Sequence, residues 1–183
     1  RNKGAVTALA TVFVVLVTGV IVSTSLYLRA ERARGATLAA VVQQIFSEAR
    51  LMEKEHRWEE AERKYETLLA LDPALVVAVL GDMARMKKER YNDLASQGVH
   101  PPTSLLLDAV ALCDRALAVN PVDKGLWNTK GVLLKKLQRY EEAIAAYERA
   151  LQLTPDFSAA WENLGIVHAL AGAGFSTLAQ TAG

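Results

Sequence analysis

The chain repeats its own residue pattern at a spacing of 34 positions, and this period restricts the fold more than any other feature of the sequence. Trp127 and Gly131 recur as Trp161 and Gly165. Four further residues recur one period apart: Ala109, Cys113, Ala116 and Pro121 precede Ala143, Tyr147, Ala150 and Pro155. A fixed period of this length predicts a stack of similar units, none of which can bury its apolar side alone.

Small, aromatic and proline residues hold fixed places within the period. We expect Gly131 and Ala143 where two helices cross closely, with Trp127 and Tyr147 filling the gaps around that crossing. Pro155 follows the second helix and ends it, because proline cannot continue a helix interior. This pattern resembles the tetratricopeptide repeat family, whose unit of 34 residues is a pair of antiparallel helices. The resemblance implies an all-α solenoid of helical hairpins.

An earlier unit keeps the same offsets in its second helix, at Trp58, Tyr65 and Pro73. Its first helix departs from the family pattern, with Ile45 in place of the usual tryptophan and Ala49 in place of the usual glycine. The resemblance therefore covers most of the chain after residue 40.

The second unit is longer than one period, because 48 positions separate Pro73 from Pro121. An over-long first helix and a loop at Gly98–Pro102 account for the insertion, with Thr103 or Ser104 as the candidate cap of the next helix. Insertions in repeat proteins often form a binding face. A tolerated surface loop is the alternative, because longer loops cost little.

The last unit is incomplete, since its tail is rich in small residues and lacks a convincing second helix. We expect Trp161, Leu164 and Ile166 to be covered by further chain or by another protein. The predicted organisation is a basic-flanked anchor at 1–34 and a repeat domain at 35–183, with units at about 42–75, 76–123 (insertion near 84–104), 124–157 and a partial unit at 158–183.

Residues 4–28 carry no charge and are rich in Leu, Ile, Val and Phe. As a helix this run exceeds the bilayer core of about 30 Å, and its composition favours insertion. A cleaved signal peptide is the rival interpretation, but the run is too long and exits into YLRAERARGA. The predicted fold class is an N-terminal single transmembrane helix followed by a tetratricopeptide-like solenoid of three to four repeats.

That prediction implies a single-pass protein of a bacterial inner (cell) membrane. Basic residues on the two sides of the span nearly balance, so the orientation stays open, with the periplasm as the favoured side of the repeat domain. Small hydroxyl residues share one face of the predicted span: Thr7, Thr11, Thr18 and Ser25. They either pack against another transmembrane helix or bond back to their own helix.

The sequence carries few residues suited to catalysis. The single cysteine, Cys113, takes the packing place that Tyr147 holds one unit later, which predicts a buried small hydrophobe. His56, His100 and His168 are dispersed without metal-ligand spacing, and His56 is expected in a hairpin turn that favours left-handed geometry. We therefore predict no enzyme activity, no cofactor, no metal and no small-molecule substrate. The net charge of +1 gives no reason to expect nucleic acid.

The resemblance further implies that the first helices line a concave groove, which holds an extended peptide or a partner's helix. The matching positions here are Arg50, Glu53, Lys54, Lys87, Lys88, Asn128, Lys135, Lys136 and Asn163. The excess of Lys and Arg favours acidic or carboxylate-bearing partners, although a solvated charged face explains each residue singly. Asn163 fits one place of the set that clamps chaperone tails in some family members. The rest of that set is not met, so we do not predict chaperone-tail binding.

These features predict a membrane-anchored protein–protein interaction scaffold. The sharper form is an accessory or assembly subunit of a larger membrane complex, respiratory, photosynthetic or envelope. The alternative is a periplasmic assembly chaperone for secreted proteins or cytochrome c maturation. An enzyme whose catalytic domain lies outside this sequence stays open as a third class.

Overall fold

The computed structural model describes the backbone of residues 3–181 and the side chains of residues 23–172. Within that range every regular element is helical, and no strand occurs. The helices are α1 (Lys3–Lys54), α2 (Trp58–Leu71), a short 3₁₀ turn (Pro73–Leu75), α3 (Val76–Ser96), α4 (Ser104–Val119), α5 (Lys124–Lys136), α6 (Tyr140–Leu153) and α7 (Ser158–Thr181). The chain divides into two compact units, residues 1–45 and residues 46–183. The all-α prediction is confirmed.

The first unit consists of the N-terminal part of α1. Within the described residues, no helix is both long enough and apolar enough to cross a membrane. From residue 29 onward α1 is charged, and Arg34 forms an exposed ion pair with Glu31 at 3.1 Å. Charged side chains of this kind oppose insertion. The predicted transmembrane helix and the single-pass inner-membrane localisation, with its periplasmic repeat domain, are therefore wrong by this finding.

The membrane prediction was based on the apolar run of residues 4–28, of which the side chains of residues 4–22 lie outside the described residues. Three of the four hydroxyl residues assigned to helix packing, Thr7, Thr11 and Thr18, lie in that stretch. Ser25 is described, and its side chain is half-buried. Their role in packing stays a prediction.

The second unit is built from helical hairpins that share one type of turn. Between α1 and α2, His56 has a φ of 58°, and between α5 and α6, Gln138 has a φ of 61°. In both turns the next amide reaches back to the last helical turn: the Arg57 amide donates to the Met52 carbonyl at 2.8 Å. The prediction of left-handed geometry at His56 is confirmed, and Gln138 is its equivalent 82 positions later.

The first and third hairpins are each held by a buried tyrosine and by small residues. Tyr65 and Tyr147 are fully buried, and so are Ala61 and Ala143 at the matching places in α2 and α6. A β-carbon built on Gly131 would meet the Tyr147 ring at 2.5 Å, so only glycine fits between α5 and α6 there. The prediction that Gly131 and Ala143 lie at a close helix crossing is confirmed.

Tryptophan side chains close two junctions between successive hairpins. The indole N–H of Trp127 donates to the Pro121 carbonyl at 2.9 Å, and that of Trp161 donates to the Pro155 carbonyl at 2.8 Å. Both bonds span six positions, so the proline that follows one hairpin is tied to the first helix of the next.

The second hairpin contains the long helix that the insertion predicts, because α3 runs for 21 residues before the loop that leads to α4. Gly98 in this loop has a φ of 75°. Thr103 lies at the N-cap position of α4, but its hydroxyl makes no capping hydrogen bond. By contrast, the Asp123 side chain accepts from the Leu126 amide at 3.0 Å and caps α5. The candidate cap at Thr103 is therefore not formed.

Helix α7 ends the described part of the stack as a single helix without a partner helix after it. Trp161 and Ile166 are 57% and 43% exposed, as the incomplete last unit predicts. Leu164 is only 8% exposed, so its inclusion in the uncovered face was wrong. Its place on α7 faces the preceding hairpin rather than the end of the stack.

Candidate protein-interaction surface

The first helices of the hairpins carry all nine residues predicted to line the groove. We call the surface formed by residues 46–54 of α1 and by α3, α5 and α7 the first-helix face. The predicted residues are Arg50, Glu53 and Lys54 on α1, Lys87 and Lys88 on α3, Asn128, Lys135 and Lys136 on α5, and Asn163 on α7.

Between α1 and α3 the charges of the first-helix face neutralise one another. Arg50 pairs with Asp82 at 3.3 Å, and Arg85 pairs with Glu53 through two nitrogens at 2.8 and 3.2 Å. The Tyr65 hydroxyl donates to the same Glu53 carboxylate at 2.6 Å. Burial, and then the hydrogen bond to Glu53, raise the pKa of Tyr65. The two cations and two carboxylates balance one another, so this part of the face attracts an outside anion only weakly.

Asp82 and Arg85 are not among the predicted binding residues, although the sequence carries a signal for them. Arg50–Asp82 and Glu53–Arg85 are each opposite charges separated by 32 positions. This separation is slightly less than one period, so a search at 34 positions passes over it. A search for complementary charges near one period would have found both pairs.

The three predicted lysines on α1 and α3 differ in their surroundings. Lys54 is exposed. Lys87 pairs with Glu62 of α2 at 2.7 Å and so points away from the other predicted residues. Lys88 pairs with Glu89 at 3.0 Å and lines a groove between α3 and α5. That groove has a volume of about 560 Å³ and is also lined by Gly81, Asp82, Arg85, Asp123, Leu126 and Thr129.

Between α5 and α7 three predicted residues come together in one polar cluster. The Lys135 ammonium donates to Oδ1 of Asn163 at 3.1 Å. Nδ2 of Asn163 in turn donates to Oδ1 of Asn128 at 3.2 Å and to the Ala159 carbonyl at 2.9 Å. We call Asn128, Lys135 and Asn163 the α5–α7 cluster.

Lys135 is the charged member of the α5–α7 cluster, and it forms no ion pair with any residue that the structure describes. Partial burial, and then the neighbouring charge of Lys136, lower the pKa of Lys135. Lys136 itself lies over the Tyr91 ring, 5.8 Å from its centre. The charge of Glu162 on α7 opposes this lowering of the Lys135 pKa, although no described carboxylate lies within ion-pair distance of Lys135.

No group of three or more His, Cys, Asp or Glu side chains among the described residues is placed to hold a metal ion. Cys113 is fully buried, and burial followed by the nearby charge of Asp114 raises its pKa to about 12. A thiol of this kind stays protonated at neutral pH and is a poor nucleophile.

Comparison with known proteins supports the repeat assignment. Residues 131–172 match the family model of the TPR repeat. The peroxisomal targeting signal receptor of Saccharomyces cerevisiae is 51% identical over 53 residues, which are 29% of this chain and 9% of that receptor. The receptor of Candida glabrata is 53% identical over 51 residues, with 28% and 9% covered. The aligned segment is therefore a small part of these relatives.

Solved structures resemble the chain over more of its length. The first TPR of Spaghetti (RPAP3), bound to the HSP90 peptide SRMEEVD, superposes with a TM-score of 0.56 at 24% identity, covering 71% of this chain and 93% of that domain. The Sgt2 TPR domain from Aspergillus fumigatus gives 0.56 at 17% identity, covering 72% and 79%. These likenesses concern the fold. They confirm the all-α helical solenoid, and the family model places a TPR repeat within residues 131–172.

Proposed function

We propose that this chain is a non-catalytic scaffold that binds a partner protein on its first-helix face. The observation that carries the proposal is the α5–α7 cluster, where Lys135 is partly buried beside two asparagines and forms no ion pair with a described residue. Two amides beside an ammonium that is outside any ion pair suit an acidic segment of a protein. The neighbouring groove between α3 and α5 offers room for the rest of an extended segment.

The fold supports a binding role of this kind. A structural neighbour holds the acidic peptide SRMEEVD, and the yeast relatives are named as receptors for a targeting signal. Shared fold alone does not transfer either ligand to this chain. The partner we propose is defined by chemistry, as a protein with an extended acidic segment, and the chain serves as an accessory or assembly subunit that holds it.

The test is affinity purification of the tagged protein from its native source, with mass spectrometry of bound proteins. A double variant, Lys135→Ala with Asn163→Ala, removes a hydrogen-bonded cation and amide from the first-helix face. Its control is Arg149→Ala with Gln152→Ala on α6, which removes another hydrogen-bonded cation and amide, an exposed pair at 3.0 Å that lies on a second helix. We expect the first variant to recover at least about tenfold less partner than wild type, and the control to recover as much as wild type.

The outcome also separates two kinds of scaffold. A fixed set of proteins at one-to-one ratio supports a subunit of a complex. A scatter of weakly bound clients, still sensitive to the first variant, supports an assembly chaperone. If wild type and both variants recover equal amounts of the partner, the α5–α7 cluster of the first-helix face does not bind it, and the proposal is wrong.

A further inference from the structure

One side of α7 alternates ring-bearing residues with glycines. Trp161, Gly165, His168 and Gly172 follow one another at steps of four, three and four positions, so they lie along one side of the helix. We call these four residues the α7 stripe. Trp161 is 57% exposed, and the other three members are exposed as well. Nothing lies within 4 Å of the β-carbon position of either glycine.

The two glycines of the α7 stripe have no steric reason within one chain. Glycine destabilises the interior of a helix relative to alanine. At Gly131 this effect is offset by close packing, because the Tyr147 ring lies where a β-carbon would be only 2.5 Å away. Gly165 and Gly172 have no ring against them in the chain alone. Rings from outside the chain would give both glycines the reason that Gly131 has.

Helices α5 and α6 show which surface fits a stripe of this kind. Along α5 the order is large, small, large, and along α6 it is small, large, small: Trp127, Gly131, Leu134 against Ala143, Tyr147, Ala150. Because the two helices of a hairpin are antiparallel, each large side chain faces a small one, as the Tyr147 ring faces Gly131. The three α6 residues are fully buried.

The α7 stripe is complementary to a second α7 stripe that runs in the opposite direction. Its order is large, small, large, small, and the reversed order is small, large, small, large. In an antiparallel pair related by a two-fold axis, Trp161 of one copy therefore faces Gly172 of the other, and Gly165 faces His168. Each contact occurs twice. The steps of four and three positions are those of the contact residues in a coiled coil.

We propose that the chain forms a two-fold symmetric dimer through the α7 stripe, with α7 of a second copy lying antiparallel against it. The helix of the second copy takes the place against α7 that α6 takes against α5, so the stack of helices continues across the dimer axis. The dimer leaves the α5–α7 cluster open, because Asn163 bonds to Asn128 on α5 and lies two positions from Gly165, on another side of α7.

Two features favour a second copy over a further hairpin of the same kind. His168 stands one period after Leu134, which is only 1% exposed inside the third hairpin. At the edge of a two-helix contact the imidazole nitrogens keep access to water, whereas full burial would require partners for them. In addition, Glu162 is the only Asp, Glu, Lys or Arg in residues 158–172, so little charge repulsion opposes the association of identical helices.

The direct test is the oligomeric state of the full chain. One helix pair buries less surface than the roughly 1,200–2,000 Å² of a standard stable interface, so we expect a weak dimer with a Kd of about 10–100 μM. Sedimentation equilibrium over protein concentrations from about 1 to about 500 μM covers this range. A chain that stays monomeric at every concentration overturns the proposal.

Glycine variants place the contact on the α7 stripe. Gly165→Ala and Gly172→Ala each insert a β-carbon under a ring of the second copy, and each should raise the Kd about tenfold. The same changes favour the helix in the monomer, so unfolding would not explain the lost association. Gly35→Ala is the matched control, because Gly35 is also helical with nothing within 4 Å of its β-carbon position. A Kd unchanged by both stripe variants, or raised equally by the control, overturns the proposal.

An apolar variant separates the stripe from general stickiness of α7. Leu170 is 42% exposed and lies outside the stripe. Leu170→Ala removes more apolar surface than any glycine variant and should leave the Kd as in wild type. A Leu170→Ala protein that associates as weakly as Gly165→Ala would show that the stripe does not form the contact.

A charge placed beside the stripe tests the antiparallel direction. Glu162 and Ala169 are exposed residues on the same edge of the stripe, near its two ends. Within one chain they lie about 10 Å apart along the helix, whereas antiparallel pairing brings Ala169 close to Glu162 of the second copy. At low salt, Ala169→Lys should lower the Kd about threefold and Ala169→Glu should raise it about threefold. In a parallel pair residue 169 of each copy lies at the same level, so a higher Kd in both variants overturns the antiparallel dimer.

Discussion

The Tyr147 ring packs so closely on Gly131 that a β-carbon at residue 131 would lie 2.5 Å from Cε1 and 2.7 Å from Cδ1 of the tyrosine. Residue 165 is the equivalent glycine of the last unit, and nothing lies within 4 Å of its β-carbon position. Sterically, within one chain, residue 131 of α5 must therefore be glycine, whereas residue 165 of α7 need not be.

Substituting these two glycines should have opposite effects. We expect Gly131→Ala to lower the free energy of unfolding by about 1–3 kcal/mol, because the ring and backbone must move apart. Gly165→Ala should raise it by up to about 1 kcal/mol, because alanine favours the helix. Chemical denaturation of both variants measures the difference. A Gly131→Ala protein as stable as wild type would contradict the observed crossing.

Glu53 accepts from both Tyr65 and Arg85, and its side chain is only 10% exposed. Glu53→Leu should cost about 1–2 kcal/mol of unfolding free energy, because two donors lose their acceptor while the 39% exposed Arg85 recovers some hydration. Glu55→Leu is the control, since Glu55 only makes an exposed pair with Arg57. Its melting temperature should stay close to that of wild type, and an equal loss in both variants would contradict the role of the network.

Two helix starts differ in their caps. Asp123→Ala should destabilise the protein by about 1 kcal/mol, because the carboxylate that accepts from the Leu126 amide is lost. Thr103→Ala should change stability much less, because the Thr103 hydroxyl makes no capping bond. Urea unfolding at neutral pH distinguishes them. A larger loss at Thr103 would show that its hydroxyl caps α4 in solution.

The single thiol should be inert in the folded protein. Burial raises the pKa of Cys113 to about 12, so the reactive thiolate is scarce at pH 8 and the sulfur is also shielded. We expect no reaction with a disulfide reagent in buffer and one equivalent of reaction in denaturant. Because the folded pKa lies above the ordinary value, the stabilising effect of the neutral thiol should decline as the pH rises above about 9. Rapid labelling of the native protein at pH 8 would contradict this environment.

The residues that hold a hairpin together could be predicted from the 34-residue period, whereas the charge pairs, whose members lie 32 positions apart, could not be predicted from that period. Gly131 and Ala143 recur at a fixed offset because each hairpin repeats the same local crossing, so the period alone reveals them. The Glu53–Arg85 pair joins first helices of successive hairpins, and its geometry depends on helix register and side-chain rotamers. Helix register and rotamers cannot be deduced from the 34-residue pattern.

The two main errors also have physical reasons. The membrane prediction relied on hydropathy along residues 4–28, whereas α1 is charged from residue 29 onward, as at Arg34 and Glu31. Leu164 was placed on the open face because the last unit lacks a second helix. Its burial instead comes from the preceding hairpin, since a helix at the end of a stack still has one covered side.

The two indole bonds at the hairpin junctions have a spectroscopic consequence. Trp127 and Trp161 each donate to the carbonyl of the proline six positions earlier, so each indole senses whether its own junction is intact. Stacks of repeats can open from an end without global unfolding. Proteins that keep a single one of these fluorophores would therefore register the opening of one joint at a time, and their emission would report the order in which the stack comes apart.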